Sequence, residues 1–155
     1  MKLKKLFLVI AIGILFANCN KEKSIKEYMV ATWETTYLKI EMPTFQKSDS
    51  TSVFEDQFLN NPPRRARSKY NNDGTFTAWF VNHKNEKSGT SKGTWTVKND
   101  SLFIAYFYGG RDVEVAYHIE KTEEGFIGKS TYDWDEDGEF DDFLVMKTKR
   151  ITAKQ

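Results

Sequence analysis

The chain has 155 residues, 23 Lys and Arg against 22 Asp and Glu, and a formal net charge of +1. That length suits one domain, and so even a balance excludes the broad basic field of a nucleic-acid binder and the acidic tail of a solvating segment. A single cysteine excludes an intramolecular disulfide framework.

In chain order, Lys2, Lys4 and Lys5 form a basic start, and Leu6 to Ala17 carry no charge. The run is shorter than the roughly 20 residues a bilayer span needs and fits the hydrophobic core of a secretory signal. It ends in Phe16-Ala17-Asn18-Cys19. This segment resembles bacterial lipoprotein precursors, in which the cysteine becomes the first mature residue and carries acyl chains. The resemblance implies a signal peptide over 1–18, lipidation at Cys19 and attachment to an envelope membrane through those chains. Several chains anchor stably, at about 0.8 kcal/mol per buried methylene. Asn20 after the cysteine resembles the pattern sorted to the outer membrane, with the periplasmic or surface side left open. Cleavage would take the 23 basic residues to 20 against 22 acidic ones, because three lysines leave with the signal. Residues 19–27 read as the lipidated cysteine and a polar tether, and 28–155 as the folded domain.

From there aromatic and β-branched residues alternate with turn signals about every ten residues, the mark of an antiparallel meander. The clearest strand runs from Asp112 to Lys121. Val113, Val115, Tyr117 and Ile119 share one face, and Glu114, His118 and Glu120 the other. Strands are predicted at 29–42, 67–71, 75–82, 92–98, 101–109, 112–121, 125–134 and 140–149. The fold class is therefore all-β, an up-and-down meander of about eight strands. Closure into a barrel would remove its edges; an open or sandwiched sheet is the rival. No segment shows a sustained helical period. The connection from Pro43 to Ala66 is long for a compact domain, and such loops are usually functional or disordered. Within it, Ser52 and Glu55 fit a capping box and Phe54 and Phe58 stand one turn apart. A short lid helix is expected there, stopped by Pro62-Pro63.

Three segments carry a second resemblance. Ala31-Thr32-Trp33 opens the first strand, Lys69 to Thr77 forms strand, Asp-Gly turn and strand, and Gly93-Thr94-Trp95 precedes the Asn99-Asp100 turn. Behind a lipoprotein-like leader, they resemble the lipocalin-like domains of small bacterial lipoproteins. The resemblance implies an eight-stranded barrel with a cavity at one mouth and the long connection as its lid. It carries no ligand with it, since fold alone does not determine function.

Four groups of residues are candidates for function. Asp133, Asp135, Asp137, Gly138, Glu139 and Asp141 follow Asp-x-Asp-x-Asp-Gly-x-x-Asp, which resembles the start of an EF-hand calcium loop. Ca²⁺ takes 6–8 oxygens, and alternate carboxylates around a glycine turn can supply them. The alternative is a plain solvated hairpin, with Leu144 standing where such a loop has a bidentate Glu. Arg64, Arg65 and Arg67 could meet an anionic head group, since guanidinium forks match carboxylate or phosphate; the alternative is a solvated loop flank. Trp79, Phe103, Phe107 and Tyr117 could line an apolar pocket, or fill a small barrel outright. Trp33 and Trp95 read as structural. His83 and His118 have no visible nucleophile partner, and no nucleophile elbow, histidine metal pair or phosphate loop occurs, so no enzyme is expected. The expected function is binding of a small apolar or amphipathic ligand. The alternative is a filled barrel that binds an envelope protein partner, as an accessory subunit or inhibitor.

Overall fold

In the computed structural model residues 20–151 are described; the expected signal peptide over 1–18 and Cys19 lie outside the described residues. Eight strands form a consecutive antiparallel meander: β1 (Thr32–Met42), β3 (Arg65–Tyr70), β4 (Thr75–Val81), β5 (Lys87–Lys98), β6 (Ser101–Tyr108), β7 (Arg111–Lys121), β8 (Phe126–Tyr132) and β9 (Asp142–Ile151). The last returns to the first. β1 and β9 pair from Thr32 opposite Ile151 to Glu41 opposite Phe143, which closes the barrel and leaves neither strand with a free edge there. The open sheet is thereby excluded, and all eight expected strands are present with shifted ends.

Local chemistry explains the turns. Asn99 and Asp100 both adopt positive φ between β5 and β6, and Gly109 and Gly110 do so between β6 and β7. Two residues in that conformation form the hairpin turn whose twist matches the strands it joins. Gly93, ahead of Thr94 and Trp95, serves differently: a Cβ there would lie 1.9 Å from the Ala105 carbonyl oxygen across β5 and β6.

The strand directions define two ends. The turns at 71–74, 99–100 and 122–125 lie at one end, together with helix α1 (Asn20–Met29). The residues of the expected polar tether are helical in this structure, and α1 closes that end. Met29 is fully buried and Ile25 nearly so, and the Tyr28 hydroxyl donates to the Gly125 carbonyl. The Trp33 indole N–H donates to the Met29 carbonyl at 3.0 Å, and Phe126 packs edge-on against Trp33 with ring centroids 5.0 Å apart. Above this plug Tyr70 meets Phe76 and Trp95. Trp33 and Trp95 are thus core residues, as expected.

At the other end lie the 43–64 connection, the 82–86 turn, Gly109-Gly110 and the acidic 133–141 loop. The long connection corrects one expectation. Ser52–Asp56 forms strand β2, paired antiparallel to the second half of β1, and not a lid helix. β3 reaches only Thr32 to Thr35 of β1, so the Leu38–Met42 edge opposite β9 needs another partner. β2 takes that place.

Candidate functional site

The interior is filled at the α1 end and open at the other. In the mouth is a cavity of about 470 Å³, walled by Leu38 and Ile40 of β1, Tyr106 and Tyr108 of β6, and Leu144 and Met146 of β9. The long connection supplies Phe54, Phe58 and Arg64 to the same wall, and the acidic loop supplies Trp134. A further space of about 160 Å³ extends inward past Phe76, Ala78 and Ile104. The two share Phe80, Tyr106, Tyr108, Tyr117 and Met146. Of these two spaces, the mouth falls within the roughly 300–1,000 Å³ of small-molecule sites. A furrow of about 440 Å³ on the outer face of β5, β6 and β7 rivals it in volume but not in character, since it is more open and lies outside the barrel.

The wall is apolar with phenols set into it. Burial pushes the Tyr106 hydroxyl up to about 12 and raises Tyr117 well above the ordinary range, with Tyr106 and Tyr70 adding to the effect. Both are neutral hydrogen-bonding groups at physiological pH. The Trp134 indole nitrogen is buried and, among the described residues, has no hydrogen-bond partner.

The candidate residues read from the sequence separate here. Tyr117 lines both spaces, and Trp79 and Arg67 line the inner one. Phe103 and Phe107 are exposed, at 40% and 58%, and line neither. The three arginines have three different settings. Arg67 donates to the buried Glu34 carboxylate at 2.9 Å, Arg65 donates to the Asn85 side-chain oxygen at 3.1 Å, and Arg64 lies over the Phe80 ring with 3.6 Å from guanidinium carbon to ring centre. Only Arg64 of the three lines the mouth.

The acidic loop is tied to the same end. Carboxylate oxygens of Asp133, Asp135 and Asp142 lie within 4.8 Å of one another, with Asp133 and Asp142 buried, and the group could hold a metal ion. Asp137, Glu139 and Asp141 stand outside it. The Asp137 carboxylate accepts from the backbone N–H groups of Glu139 and Lys47, the Glu139 side chain is exposed, and the Asp141 carboxylate accepts from the Thr44 hydroxyl at 3.2 Å. Asp142 was not among the candidates. Its carboxylate accepts from the N–H groups of Trp134 at 2.6 Å and Asp135 at 3.1 Å. Burial pushes its pKa up; those two bonds oppose the rise, and Asp135 and Asp141 add to it. Asp133 accepts from the N–H groups of Asp137 and Gly138. Gln46 and Lys47, both at positive φ, turn successive N–H groups onto Asp135 at 2.8 Å and Asp137 at 3.2 Å, the concave arrangement of main-chain donors that suits an anion. The loop thereby latches the start of the long connection beside the mouth.

Comparison with family models, with curated proteins and with solved structures gave no match.

Proposed function

We propose that this protein is a binding barrel of the bacterial envelope, lipocalin-like in build, that takes a small apolar or amphipathic ligand into its mouth. The observation that carries the reading is the mouth cavity of about 470 Å³, continuous through shared wall residues with the inner space. A ligand pocket of this kind is concave, mainly apolar and furnished with a few polar groups. Tyr106, Tyr117 and Arg64 are those groups. Binding without turnover is the proposed activity.

Anchoring through acyl chains on Cys19, at the outer membrane, belongs to the same proposal. The chain enters the domain through α1 at the closed end, so the mouth would open away from the anchor. Calcium is the proposed ion for Asp133, Asp135 and Asp142, an all-oxygen donor set that suits a hard cation. Trp134 stands in sequence between two of these carboxylates and lines the mouth, so an ion there would stiffen one wall of the cavity. Calcium titration by calorimetry should show uptake in the range of extracellular modules, about 10⁻⁴ M, and Asp142→Asn should abolish it. No heat of binding at millimolar calcium would rule the ion out.

Native mass spectrometry of the detergent-free protein tests the main reading. A co-purified mass of a few hundred daltons, lost on denaturation, is expected. A bare chain that also takes up no added apolar probe would refute it. A second reading, docking of an envelope protein on the mouth, draws on the exposed rim side chains Leu59 and Phe140, at 82% and 67%. Co-purification of a stoichiometric protein in place of a small molecule would favour it.

A further inference from the structure

We infer that the ligand is a single-chain amphipathic anion whose head group meets Arg64 at the mouth; this rests on the binding-barrel reading above. The inference follows from how the three neighbouring arginines are spent. The Arg67 guanidinium is paired with Glu34, and Arg65, which donates one N–H to Asn85 and has its Nε buried without a partner among the described residues, lines neither space. Arg64 is the one that lines the mouth, and among the described residues no carboxylate lies within 4.0 Å of it. Its contact is the Phe80 ring face, which holds the guanidinium against the wall without consuming its N–H donors. Asp56, which lines the same wall, accepts the Phe58 backbone N–H at 2.7 Å through one oxygen and makes no ion pair with Arg64.

The rest of the cavity supplies the complement. Leu38, Ile40, Leu144 and Met146 form an apolar channel for a hydrocarbon chain. A guanidinium fork matches either a carboxylate or a phosphate monoester, and an anion there would meet a cation that has no carboxylate partner among the described residues. An apolar ligand without a head group would leave that cation unmet.

The test is calorimetric titration of the purified full chain with dodecanoate, dodecyl phosphate and dodecanol. The two anions should bind about tenfold or more tightly than the alcohol, the scale of a charge-assisted hydrogen bond. Arg64→Gln should erase that preference, while Arg64→Lys should keep part of it. A preference for one anion over the other identifies the head group. Equal binding of acid and alcohol by the native chain would overturn the assignment and leave the barrel reading standing. Failure of all three to bind would sink both.

Discussion

Glu34 shows how much one residue carries. It lies on β1, 6% exposed, with Arg67 at 2.9 Å and Lys149 at 3.2 Å, and so joins β1 to β3 on one side and to β9 on the other. Burial works against its charge, but hydrogen bonds from Arg67 and Lys149 outweigh that and hold its carboxyl below the usual range. A folded-state pKa below the unfolded value of about 4.3 adds stability that is fully present above that pH and lost as pH falls through the folded value. Glu34→Gln should therefore cost about 1 kcal/mol at pH 7, a modest figure because Lys149 is half exposed. In urea melts the gap between native chain and variant should narrow as pH falls from 7 to 3. An undiminished gap at pH 3 would mean that the ion pairs are not its source.

Among the elements, α1 is the one with the least sequence warning. Its apolar contacts rest on Ile25, Tyr28 and Met29, a spacing of three and four that places them on one helical face, but ten mainly polar residues read more readily as a tether. Burial decides otherwise, because the barrel end under Trp33 and Phe126 needs covering. Met29→Ala should lower unfolding free energy by about 3 kcal/mol, the scale of a buried methionine truncated to alanine, with hydrogen exchange in α1 rising more than in β6 and β7. A stability within experimental error of the native chain would show that α1 does not seal the core. The β6–β7 hairpin was more legible than its candidates suggest. Val113, Val115 and Tyr117 share the inward face, and the Gly109-Gly110 turn sets Tyr106 opposite Val113 and Ile104 opposite Val115. Even-numbered residues of β6 therefore point inward, which selects Tyr106 and Tyr108 for the cavity and turns Phe103 and Phe107 outward. β2 was not legible in this way. Its capping-box spacing is a local helix signal, and the unpaired edge of β1 that overrides it exists only once the barrel has closed.

For the whole molecule, the decisive property is that the barrel is packed at one end and hollow at the other. Leu38→Phe should fill part of the mouth, lower the affinity for an anilinonaphthalene sulfonate probe about tenfold, and change stability by less than about 1.5 kcal/mol, because the added atoms enter a void. Phe103→Ala, outside the barrel, should leave probe binding as it is. Loss of binding in the second variant alone would move the site to the outer face. The strands, their order and most turns follow from sequence by itself, because alternation and hairpin chemistry act between near neighbours in the chain. The same holds for the core tryptophans and the acidic run. Barrel closure through β1 and β9, the plug formed by α1, the pairing of β2 and the different settings of Arg64, Arg65 and Arg67 were decided only in three dimensions. So was the entry of Asp142 beside Asp133 and Asp135. Each depends on groups that the chain brings together from distant positions, where unpaired backbone, unfilled volume and uncompensated charge must all be satisfied at once.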